Sequence, residues 1–127
     1  MNRTPGNGHA HSGSILLVDD DSETRSLRSI MLGTHGYEVD SVSNSADAHV
    51  TWKATRPDLV LLALRRYSAG TVEFLQEITR VSPQQRVAFV NDDSLHLSPL
   101  SYNGELVRHA EGPEDLIDRV GALLAVL

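Results

Sequence analysis

At 127 residues the chain has the length of one domain with an unstapled core, and is too short for two ordinary ones. Its 40% hydrophobic and 22% charged residues are an ordinary globular balance, and the lack of cysteine excludes a disulfide framework and any thiolate metal site. The net charge is −6 and the basic residues are scattered, only Arg65 and Arg66 being adjacent, which argues against direct nucleic-acid binding; the longest apolar run, Leu59 to Leu64, is six residues and far short of a membrane span.

Residues 1–13 are rich in Gly, Asn, His and Pro and offer almost nothing to bury, which predicts a flexible tail ahead of a domain over 14–127. The tail has no apolar core or cleavage site, so it does not read as a secretory signal, and the expected location is cytoplasmic. His9 and His11 stand two apart without a third ligand. The run Ser14 to Val18 is continuously apolar, as in a strand covered on both faces, and stops at Asp19, Asp20 and Asp21. Ser22 is the expected cap of a first helix, with Leu27, Ile30 and Met31 as its apolar repeat and Gly36 as its stop.

Tyr37 to Val42 alternates as a second strand. Asn44 or Ser45 then caps a helix that buries Ala48 and Trp52 and ends before Pro57; Trp52 reads as core packing. Asp58 to Leu64 is a second fully apolar strand and the natural centre of the sheet. A third helix spans Ala69 to Val81 with Val72, Leu75 and Ile78 inward, followed by strands over Arg86 to Val90 and Glu105 to His109. Pro113 opens a last helix, with Glu114 and Asp115 in its first turn and Leu116, Ile117, Val120, Leu123 and Leu124 as its apolar face. The stretch between Val90 and Glu105 has Pro, Asn and Gly but no helical period, so a loop or one short turn is expected there.

The pattern is β-α five times over, with the fourth helix shortened or replaced by a loop. It predicts an α/β domain with a parallel sheet covered on both faces. In such sheets ligands bind at the carboxyl ends of the strands, near the switch in strand order. The residues there are Asp19, Asp20 and Asp21, then Ala63, Asn91 and His109.

The segments LLVDDDSETRSLRSIML, GYEVDSVSNSADA, PDLVLLALR, EFLQEI and PEDLIDRV, in this order, resemble the receiver domain of bacterial two-component response regulators. The likeness runs from about Ser14 to Leu127 and is poorer over Ala63 to Gly70 and Asn91 to Gly104. It implies a flavodoxin-like, doubly wound five-stranded sheet that accepts a phosphoryl group from a histidine kinase. That chemistry needs a carboxylate nucleophile, oxygens to hold Mg²⁺, and a hydroxyl and a lysine to keep the phosphate. Asp19 and Asp20 match the family's acidic pair.

The other positions depart from the family. The resemblance sets the acceptor aspartate on Ala63, the hydroxyl on Asn91, the lysine on His109, the proline after it on Ala110 and the aromatic switch on Leu106. Its Met-Pro turn falls on Arg66 and Tyr67. Asp58 cannot stand in as acceptor, because it opens its strand at the opposite end of the sheet. Asp92 and Asp93 follow the fourth strand and read as solvated loop. The expectation is a degenerate receiver that signals through a protein partner or a second copy, independently of aspartyl phosphorylation and without a required cofactor.

Two surfaces follow from that reading. Asp19 and Asp20 are a candidate weak Mg²⁺ site, and with Asn91 and His109 they make an altered pocket that supports the alternative of a small-molecule or metal sensor. Leu123, Leu124, Val126 and Leu127 at the chain's end are a candidate partner surface, or else close the core. An enzyme is not expected: there is no phosphate-cradling glycine loop, no nucleophile beside a base and no complete metal triad.

Overall fold

The computed structural model describes residues 13–91, 105–108 and 113–125. Its elements run β1 (Ser14–Asp19), α1 (Ser22–Thr34), β2 (Glu38–Val42), α2 (Ser45–Thr55), β3 (Leu59–Ala63), α3 (Ala69–Val81), β4 (Arg86–Asn91), β5 (Glu105–Arg108) and α4 (Pro113–Ala125). The five strands form one parallel sheet in the order β2-β1-β3-β4-β5. The chain moves outward from β1 to β2 and then returns to the other side of β1 with β3, so the order reverses between β1 and β3. This is the flavodoxin-like arrangement expected. Of the tail expected over 1–13, residues 1–12 lie outside the described residues, as does the loop expected between β4 and β5, while Gly13 is tied to β2, its carbonyl accepting from the Glu38 N–H at 2.9 Å.

The two apolar strands at the centre explain why both faces are covered. Every residue of β3 is buried, as is β1 from Ile15 onward. Alternate side chains feed two separate cores, because successive residues of a strand point to opposite faces. Ile15, Leu17, Leu59 and Leu61 meet Leu32 of α1 and Leu116, Ile117 and Val120 of α4. Leu16, Val18, Val60 and Leu62 meet Ala48 and Trp52 of α2 and Phe74, Leu75 and Ile78 of α3.

Polar groups lock the amino ends of the strands. The Asp58 carboxylate accepts from the Ser14 backbone N–H at 2.9 Å, while the Asp58 N–H donates back to the Ser14 carbonyl and hydroxyl. Asp58 is therefore a staple between the starts of β1 and β3, at the end of the sheet where it was expected. Trp52 is 1% exposed and sets its ring edge-on to Phe74. Its indole N–H donates to Gln85 Oε1 at 2.8 Å, and the Gln85 amide donates to the Pro57 and Arg86 carbonyls. The indole nitrogen thus finds the partner that a buried Trp requires.

Several boundaries correct the sequence reading. Asp21, not Ser22, is the N-cap of α1: its carboxylate accepts from the Thr24 N–H at 3.4 Å, and Ser22 is already helical. Tyr37 is buried but precedes β2, and Asp58 precedes β3. Asn44 caps α2 and Ser68 caps α3, the latter in a reciprocal pair with Thr71. His35 closes α1, and Gly36 follows at φ 101°, where a side chain would be strained.

The largest departure is the face α1 presents. Leu27 and Ile30, expected to face the core, are 55% and 66% exposed. Met31 does pack against the core as expected, but the rest of the inward stripe is Thr24, Arg28 and Leu32. In α3 the expected Leu75 and Ile78 are buried, with Phe74 beside them and Val72 half-buried.

Candidate functional site at the carboxyl ends of the strands

Asp19 and Ala63 are the last residues of β1 and β3, and the register pairs them directly across the switch in strand order. Asp19 is 1% exposed and Ala63 8% exposed. A carboxylate buried this deeply is costly unless it is paired and hydrogen-bonded. Both of its oxygens are engaged. Oδ1 accepts from the Asp21 backbone N–H and the Thr24 hydroxyl, each at 3.0 Å. Oδ2 accepts from the same hydroxyl at 2.9 Å and from Arg28 Nη1 at 2.6 Å. The Arg28 contact is a close ion pair with the arginine side chain only 23% exposed.

Helix α1 positions these donors. Thr24 and Arg28 lie four residues apart, one turn above the other on the same face. Leu32 continues that stripe into the apolar core. Arg25 stands beside the stripe and donates from Nη1 to the Asp19 main-chain carbonyl at 3.0 Å. The cation that the structure sets against Asp19 is Arg28, which the pattern at the strand ends does not single out and whose only trace in the sequence is its spacing of four from both Thr24 and Leu32.

Asp20 is exposed and takes a different role. Its two oxygens accept from the Arg65 backbone N–H at 3.1 and 3.4 Å, which ties the turn after β1 to the loop after β3. Arg65 Nη2 also stands 3.9 Å from Asp21, a weak pair given that the arginine side chain is 70% exposed. Two residues on, Tyr67 lays its ring on Phe89 of β4, with centroids 6.1 Å apart and planes 24° from parallel. Burial pushes the Tyr67 phenol up to about 12, so the ring covers this end of the sheet in its neutral form.

Of the other expected site residues, Asn91 ends β4 with its backbone in register with Arg108 of β5, and Leu106 pairs with Phe89. His109, Asp92 and Asp93 lie outside the described residues, as do Val126 and Leu127. Leu123 and Leu124 pack, partly buried, against the core on the α1 side of the sheet. The exposed large apolar side chains among the described residues are Leu27, Ile30, Val50 and Val81.

The donor set can be tested against Mg²⁺, which demands near-octahedral oxygen at about 2.0–2.1 Å. Asp19 already has its charge matched by a guanidinium and all its close acceptor directions used. Ala63 offers only a methyl group, and Asp20 is turned to a backbone N–H. No cluster of three acidic or histidine side chains stands ready for a metal among the described residues. The residues described here do not fit the ion.

Comparison with known proteins agrees with the fold. The response regulator receiver domain family matches residues 15–96. No curated protein matches the chain. Among solved structures, the chemotaxis protein CheY4 of Vibrio cholerae is similar at a TM-score of 0.73 and 19% identity, covering 89% of this chain and 99% of that one. The response regulator TrrA of Thermotoga maritima, in complex with Mg²⁺-BeF, is 26% identical at a TM-score of 0.73, covering 87% of this chain and 97% of that one. TrrA also appears in a complex with the histidine kinase ThkA, at 25% identity, a TM-score of 0.72 and the same coverage. No helix among the described residues is long and apolar enough to cross a membrane.

Proposed function

Because the chain belongs to the response regulator receiver domain family, we propose that it is a degenerate receiver, a regulatory rather than catalytic module that signals by protein–protein contact without aspartyl phosphorylation. The observation that carries this reading is Ala63. It ends β3 directly beside Asp19, at the strand end where the family resemblance sets the phosphoryl acceptor. A methyl group has no lone pair with which to attack phosphorus, so no acyl phosphate forms there. By the same resemblance the hydroxyl falls on Asn91, the lysine on His109 and the aromatic switch on Leu106. The phosphate would have neither a seat nor a readout.

The unit that does this is residues 14–127, working in the cytoplasm on a protein partner or a second copy of itself, with no metal required. Direct contact with nucleic acid or membrane is not part of the role. The proposed contact surface is the end of the chain, Leu123, Leu124, Val126 and Leu127, of which Leu123 and Leu124 also pack partly against the core. The sensor alternative built on Asp19, Asp20, Asn91 and His109 has less support, because Asp19 has no acceptor to spare for a ligand. Incubation with acetyl phosphate and Mg²⁺, followed by intact-mass measurement under mild conditions, tests the proposal. The expected result is an unchanged mass; a phosphoryl adduct mapping to the strand ends contradicts it.

A further inference from the structure

Arg28 occupies an unusual place. It stands on the inward stripe of α1, between Thr24 and the fully buried Leu32, where the periodicity calls for an apolar residue. Its guanidinium reaches past the start of the helix to Asp19 Oδ2 at 2.6 Å. At the same strand end the partner position across the register is alanine. We propose that Arg28 is a built-in counter-ion: its guanidinium fills the electrostatic role at Asp19 that a divalent cation would otherwise take, and so closes the acidic end of the sheet to metal.

Three observations converge on it. Asp19 is buried and ionisable, so it needs a positive charge or a proton. That charge comes from a side chain anchored in the second turn of α1, and not from a mobile surface residue. The remaining lone pairs of Asp19 are fixed by the Thr24 hydroxyl and the Asp21 N–H, so the carboxylate cannot swing toward solvent to meet an ion without breaking those bonds. A resident arginine is always charged, whereas a bound ion comes and goes with its concentration. The strand end is thereby assembled in one state at all metal levels.

This inference rests on Asp19 and its contacts with Arg28, Thr24 and Asp21, and stands or falls separately from the reading of Ala63. The test compares wild type with Arg28→Gln, using Mn²⁺ as the probe and paramagnetic broadening of backbone amides as the readout. The expected result is that Asp19 and Asp20 amides of the wild type stay sharp at Mn²⁺ concentrations that broaden them in Arg28→Gln. Equal broadening in both proteins, or none in the folded variant, overturns the proposal. Should Arg28→Gln fail to fold, Asp19→Asn in the wild-type background decides. Broadening at Asp20 that is already present in wild type and lost in Asp19→Asn shows metal bound despite Arg28 and overturns the proposal. Amides unaffected by Mn²⁺ in both uphold it.

Discussion

Helices α1 and α3 have the same length, 13 residues, and each is capped by a side-chain oxygen, yet they bury opposite kinds of face. In α3 the apolar period does what it should, and Phe74, Leu75 and Ile78 pack under the sheet with Trp52. In α1 the side chains nearest the strand ends are a threonine and an arginine, while Leu27 and Ile30 face outward. The difference is Asp19. A buried carboxylate at the end of β1 needs hydrogen-bond donors and a cation, and α1 is the element that passes over it. The helix is therefore rotated by what the carboxylate requires, and only its last turns, with Met31 and Leu32, follow the apolar core.

The largest expected effect breaks the apolar side of this comparison. Ile78→Ala leaves a cavity between α3 and the sheet and should cost about 2–5 kcal/mol in urea unfolding. On α1, Arg28→Met should cost about 3 kcal/mol, because it strands a buried carboxylate while keeping the volume of the side chain. That figure is set at the low end since the guanidinium is partly exposed. If Arg28→Met is neutral while Ile78→Ala is severe, α1 is held by apolar contacts after all. Coupling is checked with the double variant carrying Asp19→Asn, in which the two losses should fall well short of their sum.

A third effect lies at the entry to α3. The unfolded chain releases a phenolic proton near its ordinary value of 10, while Tyr67 in the folded chain holds its proton to about 12. The folded state binds more protons across that window, so stability is intact below pH 10 and falls as pH rises toward about 12, by about 2–3 kcal/mol. Urea midpoints on either side of the window should show this fall, and Tyr67→Phe should remove most of it. Tyr37, whose phenol is also raised by burial, leaves a smaller residue of the same sign. The smallest effect sharpens the contrast of faces. Ile30→Ser, on the exposed side of α1, should change stability by no more than about 0.5 kcal/mol.

These contrasts also mark what could be read from the residues beforehand. The continuous apolar runs of β1 and β3 announced a sheet buried on both faces, and the alternation of elements gave its parallel order. Asp58, Trp52 and the α3 face were legible for the same reason: each is explained by local pattern and burial. The orientation of α1 was not. Periodicity scores apolar residues, and it picked Leu27 and Ile30 because it has no account of a polar residue demanded by a distant strand end. The caps show the same limit on a smaller scale. Ser22 and Asp21 are both good caps by type, and Asp21 wins because its own N–H is already committed to Asp19. A three-residue run of acids therefore divides into a buried ion-pair partner, a loop tie and a helix cap, which spacing alone does not separate.

The central claim is that this strand end is complete without metal or phosphoryl group, and backbone-amide NMR tests it most directly. Wild-type protein is titrated with Mg²⁺, first alone and then with acetyl phosphate. The account predicts that the resonances of Asp19, Asp20, Ala63 and Asn91 stay in place through both additions. Saturable shifts clustered at those residues on adding Mg²⁺, or a new set of resonances on adding acetyl phosphate, would contradict it.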